Sequence, residues 1–244
     1  MNLGIDSQVA VVAASSKGLG FQAARALALE GARVVISGRS QDALDRAIDQ
    51  LRKESEFVEG FACDITDPES PRALVDFARD VFGPPTIVIA NAGGPPVSKA
   101  LEVTDEDISR AVNANFVSSV RLIRESIEPM KTIGAGRIVC IASSSIHQAI
   151  ASLPLSNAAR VALWGWAKVA AKELAGTGVT LNLISPGTHA TDRMKDLIKP
   201  GETPSFPMGN PEDFGHVVAF LCSRYASYIN GASVVVDGGA SLAL

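Results

Sequence analysis

Apolar and polar positions alternate along the chain in two different periods. Short runs rich in apolar, β-branched residues recur at 9–13, 33–37, 57–63, 86–90, 137–142, 179–184 and 233–236. Runs of this length, bounded by turn residues, read as strands buried on both faces. Between them apolar residues recur at helical spacing: Ala43, Leu44, Ala47, Ile48 and Leu51 share one helical face. Strand and helix patterns therefore alternate as βαβ units. They predict one α/β domain over residues 1–244, built on a doubly wound seven-stranded parallel sheet.

Capping residues agree with this division. Asp67-Pro68 and Asn210-Pro211 each place a capping side chain before a proline suited to the first helical position, and Gly83-Pro84 stops a helix. Thr104 precedes Asp105, Glu106 and Asp107, three acids that match the positive end of a helix dipole.

Composition narrows the partners. With 47% hydrophobic and 20% charged residues, 244 residues bury a full core in one domain. A net charge of −4 without a basic cluster argues against nucleic acid, leaving small solutes. The longest uncharged stretch, 138–159, holds five serines, a proline and an asparagine, so no membrane span is expected. Residues 1–6 lack a basic start leading into an apolar run, so no secretory signal is expected. Cys63, Cys140 and Cys222 are widely spaced and odd in number, which suits a reducing cytoplasm better than a disulfide framework. His147, His189 and His216 fall into no metal-ligand spacing, so no metal is expected.

Chemistry first shows at the turn after the first strand, Ser15-Ser16-Lys17-Gly18-Leu19-Gly20. Between a strand and a helix, such a turn lets a pyrophosphate approach the backbone and the helix N-terminus; a plain tight turn explains Gly-x-Gly equally well. The residues that follow decide between them. The stretch resembles the Thr-Gly-x-x-x-Gly-x-Gly turn of short-chain dehydrogenases/reductases, and the resemblance continues in order through Asn91-Ala92-Gly93, Asn115, Ser143, Pro186-Gly187 and Val236-Asp237-Gly238-Gly239. It covers essentially the whole chain, and the overall pattern looks similar to 3-oxoacyl-carrier-protein reductases. It implies a Rossmann-like fold, a nicotinamide dinucleotide cofactor and a homotetramer built through the helices after the fourth and fifth strands and through the last strand. The apolar end, 240–244, is compatible with such a contact. Ala13-Ala14 replaces the family's Thr-Gly, and a Cβ at Ala14 requires a negative φ there.

Cofactor choice is written at the end of the second strand. Arg39 stands where an acid would bind ribose hydroxyls, and its planar fork, aided by Lys17, suits a 2′-phosphate; NADP(H) is favoured. The plainer alternative is that both are solvated surface charges. The resemblance places Asp64 and Ile65 at the adenine, Asn91, Ala92 and Gly93 along the adenosine, and Pro186, Gly187 and Thr191 at the nicotinamide end. A helix-initiating role is the alternative for Asp64, although Asp67 already fills it.

The family's proton chemistry uses a tyrosine thirteen positions after a serine, and a lysine four positions later. Counted from Ser143, those positions are Ser156 and Arg160, and the helix that follows keeps register. Tyr225 and Tyr228 lie far along the chain. Arg160 keeps hydrogen-bond donors and a positive charge for the nicotinamide ribose, whereas a serine hydroxyl is a far weaker acid than a phenol. Asn115 aligns with the family's helix asparagine, in preference to Asn113. His147, in the same loop as Ser143, carries an imidazole, a side chain suited to proton transfer; an exposed loop histidine is the plainer reading. Trp164 and Trp166 read as packing or subunit-contact residues. The segment 189–209, rich in Pro and Gly, is the expected substrate lid, short enough to leave the pocket open to a long or tethered substrate.

Two functions follow. One is an NADPH-dependent reductase acting on a carbonyl, such as a 3-oxoacyl thioester, with an unusual proton source: Ser156, His147, water or the substrate itself. The other is a catalytically silent NADP(H)-binding sensor or scaffold subunit.

Overall fold

The computed structural model describes residues 1–197 and 207–242. Lys199-Pro200-Gly201 and Pro204 of the expected lid, and residues 243–244, lie outside the described residues. Seven strands, β1 (Val9–Val12), β2 (Arg33–Gly38), β3 (Val58–Ala62), β4 (Ile87–Ala90), β5 (Gly136–Ile141), β6 (Val179–Pro186) and β7 (Ser233–Val236), form one parallel sheet in the order β3-β2-β1-β4-β5-β6-β7. The expected runs correspond one to one. The third is shorter at both ends, and the sixth runs on through Ser185 and Pro186, which pair with Val235 and Val236.

Consecutive apolar residues in the central strands feed two separate cores. Ala10, Val12, Ile87 and Ile89 point to one face, under helices α1 (Gly18–Leu29), α2 (Gln41–Leu51) and α8 (Pro211–Cys222). Val11, Ala13, Val88 and Ala90 point to the other, under α3 (Ser70–Phe82), α5 (Ser118–Ile133) and α6 (Pro154–Glu173). Period-two alternation with both faces covered is why these strands read as unbroken apolar runs. Among the described residues, no helix is long and apolar enough to cross a membrane.

Most of the capping pattern holds. Asn210 accepts a hydrogen bond from the Glu212 amide, with Pro211 in the first turn of α8. Thr104 and Asp107 form a reciprocal capping box on α4 (Asp105–Val112). Gly83 ends α3 with φ +104°. Asp67-Pro68 departs from expectation. The Asp67 amide donates to the Asp64 carbonyl and the Ser70 amide to the Asp67 carbonyl, so these residues form turns ahead of α3; Pro71 is the proline in its first turn.

The chain winds outward from β1 to β3, then crosses back to β4 and winds the other way. At that reversal the carboxyl ends of β1 and β4 diverge and leave a crevice, the place where open α/β sheets bind ligands. Packing of α8 onto α1 braces one wall. A Cβ on Gly215 would collide with the Gln22 carbonyl oxygen and press on its carbon at 2.9 Å. Gly215→Ala is therefore expected to lower stability by about 1–3 kcal/mol despite alanine's better helix propensity, measured by urea unfolding. Equal or greater stability would show that the two helices separate freely.

Candidate active site

A cavity of about 850 Å³ opens at the carboxyl ends of the central strands. Its floor is the turn from β1 to α1. Lys17 precedes α1 without a side-chain cap, so the first amides of the helix are left to solvent or ligand. Gly18 takes φ +66°, and a Cβ on Gly20 would meet Asn91 Nδ2 at 2.6 Å and the Ala14 oxygen at 2.9 Å. Ser16, Lys17, Gly18, Leu19 and Gly20 all line the cavity.

Two features of this turn correct the sequence reading. Ala14 has φ +46°, in the left-handed region, so the negative φ expected for a residue with a Cβ is not adopted. The path is held by its neighbours: the Ala14 amide donates to Ser37 Oγ, and Asn91 Nδ2 donates to the carbonyls of Ala13 and Ala14 at 3.2 and 2.9 Å. Ser15 does not face the cavity. It is fully buried, with its hydroxyl on the Val12 carbonyl at 2.6 Å and its amide on the Ser37 carbonyl at 2.7 Å, which ties β1 to β2.

Arg39, Asp64, Ile65, Ala92 and Gly93 line one end of the cavity. The Arg39 side chain is 81% exposed and 4.0 Å from Asp64 Oδ2, a surface pairing worth little. Asp64 Oδ1 accepts from the amide and hydroxyl of Thr66, leaving Oδ2 to Arg39.

The other end is formed by β5, the start of α6 and the loop after β6. Asn115 sits in a five-residue π turn, Asn113–Val117, between α4 and α5; such turns recur at functional positions. Its Nδ2 donates to the Ala111 carbonyl at 3.3 Å, and its buried Oδ1 has no partner among the described residues. Asn113 instead binds the Thr66 carbonyl and Arg121, off the cavity. Ser143, Ser156, Arg160, Pro186, Gly187 and Thr191 line this end. Ser143 Oγ accepts from the Ser145 amide. Arg160, 8% exposed, donates from Nε to Ser156 Oγ at 3.2 Å and from Nη1 to the carbonyls of Ile141 and Ala142, both at 2.8 Å. Burial, with a smaller contribution from Arg193, pushes its guanidinium down to about 10, so it remains a cation at neutral pH.

His147 is neither an exposed loop residue nor part of the cavity wall. The 3₁₀ turn Ser144–Ile146 carries its ring away, half-buried, to hydrogen-bond Ser233 Oγ at 2.9 Å with its centroid 4.9 Å from that of Trp164. Trp164 and Trp166 pack partly buried against the core. His189, which showed no pattern in sequence, lines the cavity, buried edge-on against Phe214 with Nδ1 on the Gly187 carbonyl. Arg193 also lines the cavity, its Nη2 donating to the Pro95 carbonyl; only its nearness to Thr191 marked it in sequence.

Residues 13–241 match the family model described as enoyl-(acyl carrier protein) reductase. The chain is 35% identical to dehydrogenase/reductase SDR family member 4 of Bos taurus, over 96% of this chain and 88% of that protein. It is 32% identical to tropinone reductase-like 3 of Erythroxylum coca, over 96% and 93%. The structure of L-sorbose reductase from Gluconobacter frateurii, complexed with NADPH and L-sorbose, superposes over the whole of both chains with a TM-score of 0.92 at 30% identity. The chain belongs to the short-chain dehydrogenase/reductase family of oxidoreductases.

Two predictions arise from this geometry. Relief of the left-handed Ala14 is worth roughly 1–2 kcal/mol, less roughly 0.4–1 for glycine's freer unfolded chain. Ala14→Gly is thus expected to raise unfolding free energy by about 0.5–1 kcal/mol in a urea titration, and a loss of stability would refute the strain. For His147→Ala, the catalytic rate is expected to hold while stability falls by about 1–2 kcal/mol. A rate loss of roughly 10²–10⁴-fold in stopped-flow turnover would instead make the ring a proton donor.

Proposed function

We propose that the protein is an NADPH-dependent reductase of carbonyl compounds, reversible toward the alcohol. The observation that carries this reading is one continuous cavity joining the glycine turn and Arg39 to the Ser143, Ser156 and Arg160 cluster. The dinucleotide fits the residues present: the cradle over Gly20 has no room for a Cβ, and Lys17 and Arg39 bring two cations to the phosphate-bearing end. L-sorbose reductase, 30% identical, binds NADPH.

In this reading Ser16, Lys17, Gly18, Leu19 and Gly20 hold the pyrophosphate and Arg39 the 2′-phosphate. Asp64 and Ile65 flank the adenine, with Asn91, Ala92 and Gly93 along the adenosine. Pro186, Gly187 and Thr191 hold the nicotinamide end, and Arg160 its ribose. Bound there, the cofactor supplies a hydride to the carbonyl carbon.

The protein's own part lies at the carbonyl oxygen. Ser143 and Ser156 offer hydroxyls to orient it. Because Ser156 Oγ accepts from Arg160 Nε, its proton is directed away from the guanidinium. The buried positive charge of Arg160 stabilises negative charge developing on the substrate oxygen, where a low-dielectric wall makes it count for more. With no phenol present, the net proton comes from water, relayed through Ser156.

A 3-oxoacyl thioester belongs among the substrates to be tried. The reading carries with it a homotetramer in the cytoplasm, to which exposed Val161 and Val169 on α6 and Val235 on β7 would contribute apolar surface.

Cofactor titrations and NADPH oxidation with a panel of ketones and 3-oxoacyl thioesters test this. NADPH is expected to bind roughly 10–100-fold more tightly than NADH, with Arg39→Ala removing most of the difference. Equal affinities in the unmodified protein would overturn the assignment. Binding without oxidation of any carbonyl would mark a silent sensor or scaffold subunit.

A further inference from the structure

Among the described residues, no acid pairs with the charge of Arg160. It is 8% exposed, and the charge felt from its surroundings, that of Arg193, has the same sign. Its bonds on one edge go to neutral groups: Ser156 Oγ and the carbonyls of Ile141 and Ala142. Nη2 has no hydrogen-bond partner among the described residues, and the side chain forms part of the cavity wall. Of the acids on the same wall, Asp107 is committed to Arg110 and the Thr104 cap, while Asp192 and Arg193 adjoin with opposite charges. Removing a cation from water without a counter-ion is strongly unfavourable, so with none among the described residues this position suits an added anion.

The weak acid beside it adds a second requirement. Hydride addition leaves an alkoxide that Ser156 protonates poorly, which favours a carbonyl already activated by an adjoining carbonyl carbon. Ile150, Leu153, Leu155 and Met194 supply apolar wall around the same end.

We propose that the reacting end of the cavity takes a 2-oxo carboxylate with an apolar substituent, its carboxylate held by one N–H of Arg160 Nη2, the other being left for the nicotinamide ribose, and its keto oxygen by Ser143 and Ser156. The proposal rests on the reductase reading above. The hydride and its electron pair pass from NADPH to the keto carbon, the carbonyl π pair moves to oxygen, and that oxygen takes a proton from water through Ser156. The products are a 2-hydroxy carboxylate, NADP⁺ and hydroxide.

Two measurements separate this site from the reductase reading. The first titrates 2-hydroxy-4-methylpentanoate calorimetrically into the protein with and without NADPH. The second compares kcat/KM for 2-oxo-4-methylpentanoate with that for its uncharged isostere 5-methylhexane-2,3-dione, whose acyl neighbour activates the ketone more than a carboxylate does. Carboxylate binding is expected in the unmodified protein and in Arg160→Lys, and to weaken roughly 10–100-fold in Arg160→Gln. The oxo acid is expected to exceed the dione by roughly tenfold or more, with the advantage collapsing in Arg160→Gln. Arg160 also ties α6 to β5, so if the glutamine variant fails to fold, the two substrates on the unmodified protein decide. Carboxylate binding without turnover would sink the reductase reading and keep the anion site. No advantage of the oxo acid over the dione or a neutral 3-oxoacyl thioester, or equal carboxylate affinity in a folded Arg160→Gln, would overturn it.

Discussion

Within a few residues of leaving β1 the chain must turn over the edge of the sheet and start a helix whose first amides face the crevice shared with β4. Two hydrogen bonds from the Asn91 side chain, to the carbonyls of Ala13 and Ala14, hold it on that path. They link the strands on either side of the topological reversal, so the mouth of the cleft and the glycine cradle are set together. The Ser15 and Ser37 bonds complete the lock from the β2 side, and Ala14 keeps its left-handed geometry because the surroundings determine it on three sides. Everything that could recognise a dinucleotide depends on this small knot of backbone acceptors.

At the far end of the cavity a second knot is built from the same materials with a charge in it. A lysine has three donors on one rotating point, whereas the guanidinium of Arg160 is a planar fork. One prong closes on two carbonyls at the end of β5 and the Nε edge on a serine one helical turn back, fixing the remaining prong in the wall. With Ser156 and Arg160 side by side, this end of the cavity presents a rigid electrostatic surface.

Much of this was legible in the residues. Strands buried on both faces betray themselves as β-branched runs, and the alternation of Ala10 and Val12 against Val11 and Ala13 is the same signal seen in three dimensions. Helix starts at Thr104 and Asn210 were readable because a cap is a local bond between near neighbours. The start at Asp67-Pro68 failed for the complementary reason: turns are local too, and Asp64 to Ser70 spend their amides on turns before the helix begins. Side-chain direction was not legible. Ser15 and Ser16 are neighbours of equal chemistry, yet one is sealed between strands while the other lines the cleft. His147 shares a loop with Ser143, yet a short 3₁₀ turn sends it to Ser233. The role of Arg160 depends on carbonyls eighteen and nineteen residues away in sequence, which no spacing rule reaches.

The π turn at Asn113–Val117 has a consequence for rotational phase. Ala111 and Asn115 are buried four residues apart where an α-helix repeats every 3.6, the next buried residues are Ser118 and Ser119, and the amide of Ser118 reaches back five residues to the Asn113 carbonyl. The extra residue in that wide turn absorbs the drift and lets α4 and α5 share one inward-facing seam. Deleting one residue from the wide turn would restore an ordinary helical path and leave the helix beyond it in nearly the same phase, because a π turn holds one residue more than an α turn. Leu122 and Ile123 would stay on the sheet, while the wide turn that sets Asn115 at the cavity wall would be lost.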